Sequence, residues 1–270
     1  MTTPQPTSSR RGPLLAGVAL LLVVAGAAGA WYLFFRPSGP APVALGSAAP
    51  ITEASATAAA EPSEDPSGDA GIASSDDADT AAPDENGIDG TWTVDPSIGS
   101  FDDFSSSFVG YRVREELASI GATEAVGRTP DVTGTLTVDG TSITAATFEA
   151  DLTTLRSDEA NRDRQLGRQA LETGRFPTGS FTLTQPIDLG TVPAEGETFE
   201  ATATGDLTLH GVTRSVEVPV QGTLERGVVT VVGSLPILFA DYAIEKPTSF
   251  VVLSVEDNGT MEFQLRFSKG

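Results

Sequence analysis

The sequence predicts a mainly β protein: an antiparallel eight-stranded β-barrel with one short helix, preceded by a transmembrane helix and a disordered linker. Three observations lead to that reading. From about Ile88 onward, apolar and polar residues alternate in segment after segment, as in strands that bury one face. Short turn signals, Asp139-Gly140, His210-Gly211 and Asp257-Asn258-Gly259, join several of these segments into hairpins. Ahead of Ile88 the pattern is absent. A continuous apolar run comes first, then a stretch of Ala, Pro, Ser, Thr and acidic residues.

Residues 1–12 are a short polar tail carrying Arg10 and Arg11. Residues 13–36 are the expected membrane span. From Leu14 to Phe35 no residue is charged or strongly polar, and these 22 residues would reach about 33 Å as a helix, against a hydrocarbon core of roughly 30 Å. Trp31 and Tyr32 sit near one end, where interfacial aromatics belong. Ala28-Gly29-Ala30 fits a signal-peptide cleavage site, but the apolar run continues through Trp31–Phe35, which favours a retained anchor. Two arginines before the helix against Arg36 after it place the N-terminus in the cytoplasm and the rest outside the cell membrane. Residues 37–87 hold no Lys, Arg or aromatic residue, cannot bury enough apolar surface to offset ordering, and read as a disordered acidic linker. Such a chain has an r.m.s. reach of about 40 Å.

Residues 88–270 form the barrel domain. Its strand-like segments are Thr91–Asp95, Val132–Asp139, Ser142–Leu152, Gly179–Leu189, Thr198–Leu209, Val212–Leu224, Val228–Leu235, Phe250–Val255 and Thr260–Phe267. Around His210-Gly211 the pattern fixes a register: Leu209 opposite Val212, Leu207 opposite Arg214, Gly205 opposite Val216. That register puts one charge, Arg214, on the apolar face. Ser157–Gly174 is the one helical stretch, with Ser157 or Asp158 as its cap and Gly174 as its stop. It also gathers Arg156, Arg162, Arg164, Arg168 and Arg175, either a solvated face or an anion-facing rim.

One apolar face turned inward and one polar face turned outward suits a closed barrel. The inward residues expected to line its pore are Phe148, Leu152, Phe181, Leu183, Phe199, Leu207, Val216, Val218, Leu253, Phe263 and Leu265. Side chains can fill such a barrel, or it can hold one small ligand. Ala201, Ala203 and Gly205 leave room, and from pattern alone both outcomes stand.

Composition narrows function. The absence of Cys rules out disulfides and thiol chemistry, and a single His disfavours a His-based metal site. The net charge of −21 opposes nucleic acid. His210 has no partner Ser, Cys or His near it in sequence and occupies a turn, so a turn role outweighs catalysis.

Several stretches resemble YceI-like proteins. Leu207-Thr208-Leu209-His210-Gly211-Val212-Thr213-Arg214 is similar to that family's signature hairpin. Asn161-Arg162-Asp163 with Leu166 resembles its Arg-Asp helix motif. Arg175-Phe176-Pro177 followed by Phe181 resembles its step into the next strand, and Trp92-Thr93-Val94-Asp95 its opening strand. The order agrees over about residues 90–268. Phe108–Glu115 corresponds to the second strand, where Glu115 stands in place of the family's His, a version similar to membrane-anchored members. The resemblance implies a lipocalin-like extended barrel holding a long amphiphile, a polyisoprenoid or isoprenoid quinone, with no catalytic activity. No cofactor is then expected beyond a bound isoprenoid lipid or quinone. Arg214 and Arg162 are the headgroup candidates. Arg214 would meet a headgroup at the barrel rim or pair with a carboxylate such as Asp163. The competing expectation is a structural or interaction domain of the envelope with a barrel filled by its own side chains.

Overall fold

The computed structural model describes residues 39–45, 87–118, 121–247 and 252–270. The predicted tail, the membrane span and most of the linker lie outside them. Among the described residues, no helix is long and apolar enough to cross a membrane. Gly39–Leu45 belong to the stretch expected to be disordered, yet the carbonyl of Ala41 accepts a hydrogen bond from Arg128 Nη2 at 3.0 Å.

The unit from Ala41 to Gly270 carries twelve described strands. The first six are β1 (Gly90–Val94), β2 (Phe108–Leu117), β3 (Gly121–Thr129), β4 (Val132–Asp139), β5 (Ser142–Asp151) and β6 (Thr178–Leu183). The rest are β7 (Ile187–Asp188), β8 (Thr198–Leu209), β9 (Val212–Glu225), β10 (Val228–Leu238), β11 (Val252–Val255) and β12 (Asn258–Lys269). Eight of them run β1-β4-β5-β6-β8-β9-β10-β12, and a β1–β12 pairing closes the ring. The expected barrel is therefore present. β12 does double duty. Trp92–Val94 of β1 pair with its last residues, while β2 pairs with Thr260–Gln264 and extends the sheet to β3 and β11.

The signature hairpin forms in the predicted register, Leu209 with Val212, Leu207 with Arg214 and Gly205 with Val216. His210 and Gly211 both take positive φ, 52° and 73°, as a tight turn between twisted strands requires.

Four expectations are corrected. β3, the partner of β2, is absent from the expected strands because Glu124 and Arg128 interrupt its alternation with charge, whereas β2 covers the Phe108–Glu115 stretch that the resemblance makes the second strand. Gly179–Leu189 is not one strand: it breaks at Pro186, which lacks the N–H a ladder needs, into β6 and β7. Asp257-Asn258-Gly259 is not a hairpin turn. β11 pairs with β2, and Asn258 and Gly259 lie inside β12 opposite Leu238 and Ile237. Gly259 instead permits close packing, since a Cβ there would sit 2.8 Å from Val113 Cγ2. The helix is also shorter than expected: α1 covers Ala160–Gln165, followed by a wider turn over Leu166–Ala170. Its cap is Glu159, whose carboxylate accepts from the Asn161 N–H, because Ser157 is already engaged by the Asp163 carboxylate. Glu172, at φ 45°, turns the chain before Gly174 is reached.

Most inward side chains merge into one apolar core around Trp92, Leu136, Val218, Leu265 and Phe267. A second cluster, Leu207, Ile237 and Tyr242, lies at the end of the barrel that carries the His210 turn.

Candidate ligand-binding site

The barrel interior is built from aromatic rings laid against glycines. A Cβ on Gly134 would fall 2.4 Å from Phe148 Cδ1, one on Gly205 2.4 Å from Phe181 Cζ, and one on Gly222 2.2 Å from Phe199 Cζ. The same holds for Gly233 under Phe263 at 2.5 Å and Gly127 under Tyr111 at 2.4 Å. Each ring therefore packs against bare backbone on a neighbouring strand. This coats the wall with apolar faces, and it requires glycine opposite each ring because any side chain would displace it.

Ten of the eleven predicted lining residues are buried or partly buried; Phe148, Phe181, Leu183, Val216, Val218, Phe263 and Leu265 share the main apolar cluster. Leu207 belongs to the second cluster, Phe199 lines a small cavity, and Leu152 is buried on the short turn after β5. Leu253 is the exception, at 64% exposure. The β11–β2 ladder shifts register between Val252 and Ser254, and this irregularity takes Leu253 out of the inward row.

The two ends of the barrel differ. At the end away from His210, Trp92, Leu136, Val138, Ile143, Phe199 and Val229 surround an apolar cavity of about 30 Å³. That is room for about one water molecule. At the His210 end the wall is split. β9 and β10 pair only from Glu225–Val228 to Val220–Gly233. Beyond that point β9 stays with β8, and β10 with β12. The turn Phe239–Tyr242 covers the split, with Tyr242 and Ile244 packed among Leu207, Val216 and Ile237.

The signature residues latch this cover. His210 Nδ1 lies 3.0 Å from the Tyr242 carbonyl, and Nε2 lies 3.0 Å from Glu172 Oε2. Arg214 donates from Nε to the Asp241 carbonyl at 2.6 Å, with Nη2 3.4 Å from the Asp241 carboxylate. Arg214 thus sits half-exposed at the rim and pairs with a carboxylate, Asp241 and not Asp163. Phe176 completes the assembly: its ring lies 4.6 Å from that of His210 and against Gly211, where a Cβ would meet it at 2.5 Å. Motifs far apart in sequence therefore meet at one point.

Arg162 lies at the same end. Its Nη2 donates to Glu115 Oε1 at 2.8 Å and its Nη1 to Asp158 Oδ1 at 2.6 Å. Three of the other arginines of the helical stretch have separate local partners. Arg156 stacks on Phe101 at 4.4 Å, Arg175 stacks on Phe176 at 4.8 Å, and Arg164 donates to Asn161.

A polar centre that the alternation does not reveal lies on the outward face of β12 and β2. Glu262, 1% exposed, accepts from Arg112 Nε at 2.6 Å and from Arg128 Nη2 at 2.6 Å. The Arg128 guanidinium lies between Phe104 and Phe108, at 4.4 Å and 4.2 Å from their centroids. Gln264 donates to the carbonyls of Phe104 and Ser106. The loop before β2 is thereby tied over this face. Burial is the largest influence on the Arg128 guanidinium and lowers its pKa, while Glu262 opposes that shift. Among the described residues, no group of His and acidic side chains could hold a metal ion.

The model of the YceI-like domain matches residues 92–267. The chain belongs to the YceI-like family. Among solved structures, this YceI-like chain is similar to a polyisoprenoid-binding domain from Saccharophagus degradans implicated in plant cell wall breakdown. The two share 19% identity over 61% of this chain and 94% of that one, with a TM-score of 0.50. It is also similar to BcnA of Burkholderia cenocepacia, with 19% identity over 59% and 95% and a TM-score of 0.46. A Campylobacter jejuni YceI protein matches with 16% identity over 53% and 85% and a TM-score of 0.43. Comparison with curated proteins gives no match.

Proposed function

We propose that this protein is a membrane-tethered, extracytoplasmic binding protein for a long apolar amphiphile, a polyisoprenoid or isoprenoid quinone, held in the barrel pore, and that it has no catalytic activity. The observation that carries the proposal is the lining of the YceI-like barrel, with aromatic rings packed against glycines around an inward apolar face. Such a wall can exchange contacts among its own side chains for contacts with a flexible hydrocarbon. Each Å² of apolar surface removed from water contributes about 25 cal/mol, so a long chain binds with few polar contacts. The apolar run at 14–35 supplies the anchor, and the residues up to 87 supply the reach from the membrane. The relative from Saccharophagus degradans, described as polyisoprenoid-binding, supports the same ligand class.

A second reading, an envelope structural or interaction domain with a filled barrel, draws on the small cavity of about 30 Å³ at the end away from His210. Mass spectrometry of the organic extract of purified protein separates the two. The binding reading expects about one isoprenoid lipid per chain. Protein that carries no lipid and takes up none after delipidation supports the filled barrel.

A further inference from the structure

Tyr111 projects from β2 on the inward face, paired with Met261 of β12 and Gly127 of β3. Its ring lies on Gly127, and its hydroxyl is buried with no hydrogen-bond partner among the described residues. A buried donor left without an acceptor is costly, and native folds rarely keep one without a reason. Met261 in turn packs on the cluster of Leu207, Ile237 and Tyr242, so Tyr111 belongs to the apolar lining at the His210 end.

The charges around this phenol are unbalanced. Glu115, two turns of the pleat further along β2, is buried and points to the same face. Arg162 is its partner, but the other terminal nitrogen of that guanidinium is taken by Asp158. Asp163 is held by the amide and hydroxyl of Ser157. Two carboxylates thus share one guanidinium, both of its terminal nitrogens are engaged, and the third carboxylate, Asp163, is held by neutral donors. Burial, followed by the negative charge of Asp163, pushes the Tyr111 hydroxyl well above its ordinary range, so it keeps its proton and acts as a donor.

We infer that this end of the barrel receives an uncharged, oxygen-bearing head, such as a quinone carbonyl or an alcohol, hydrogen-bonded by the Tyr111 hydroxyl, and that it discriminates against a phosphorylated head. The inference rests on the proposal that the barrel holds an isoprenoid chain. A phosphate would be brought into a water-poor site beside buried Glu115, where both terminal nitrogens of Arg162 are already engaged.

The test uses the full-length protein in detergent and four probes of matched chain length: a prenyl hydrocarbon, a polyprenol, its monophosphate and a prenylated benzoquinone. The quinone and the polyprenol are expected to bind at least about tenfold more tightly than the monophosphate, the factor that roughly 1.4 kcal/mol produces. Tyr111→Phe, which keeps the ring over Gly127, should weaken the quinone by about fivefold to tenfold, the scale of one lost hydrogen bond, and leave the hydrocarbon unchanged. Asp158→Asn, at an exposed position, should narrow the gap between monophosphate and polyprenol. Monophosphate binding as tight as polyprenol, or a quinone affinity unmoved by Tyr111→Phe, overturns the inference while the hydrocarbon still binds. If no probe binds, the hydrocarbon included, the isoprenoid-binding proposal itself fails and this inference falls with it.

Discussion

The two faces of β12 are buried in different ways. Inward, Met261, Phe263, Leu265 and Phe267 pack against other apolar side chains, and Phe267 is fully buried. Outward, Glu262, Gln264 and Arg266 are 1%, 3% and 3% exposed, no more accessible than the inward row. The first face is held by apolar area and tolerates changes that preserve volume. The second is held by specific pairing around Glu262, where each group depends on its partners. Similar burial on the two faces therefore predicts different responses to substitution.

The largest expected effect is on the outward face. Glu262→Ala leaves the guanidinium groups of Arg112 and Arg128 without their shared carboxylate and should cost about 3–5 kcal/mol, read as a lower midpoint in urea unfolding. Replacing all three with apolar residues of similar volume should recover most of that loss, because the desolvation cost leaves with the charges. On the inward face, Leu265→Ala should cost about 3 kcal/mol by the same measurement. No apolar partner substitution should rescue it unless the lost volume is restored. Gly222→Ala tests the glycine-backed lining: its Cβ would meet the Phe199 ring at 2.2 Å. It should cost about 2 kcal/mol, and Phe199→Leu should relieve part of this. Arg214→Ala is the smallest effect. Its side chain is 49% exposed and Asp241 is 45% exposed, so the change in stability should stay within about 0.5 kcal/mol. If the turn over the split wall is a cover for the ligand, the same variant should still speed ligand exchange, measured by stopped-flow.

These contrasts also explain what was legible in the sequence. The barrel could be read because its inward residues alternate strictly, and the hairpin register could be read because His210-Gly211 fixes the turn. β3 could not, and β2 could be read only through its resemblance to the family's second strand, because their outward charges are buried by a loop and by each other, and alternation reports polarity, not burial. Leu253 was misplaced because one register shift in β11 changes which face it takes. The glycines opposite Phe148, Phe199 and Phe263 were visible only as gaps in apolar strands. Their pairing with rings depends on cross-strand register, which no single segment contains. The roles of His210 and Arg214 as latches were hidden for a similar reason: their partners, Tyr242 and Asp241, lie on the turn after β10.

The central claim is that the barrel interior is the binding site. Ala203 faces the lumen opposite Val218 and is 8% exposed. Native mass spectrometry of delipidated full-length protein, titrated with a long prenylated quinone, compares the wild type with Ala203→Phe, which fills the lumen. The wild type should gain one ligand mass per chain, and the folded variant should gain none. Equal uptake by both, or none by the wild type, would contradict the claim.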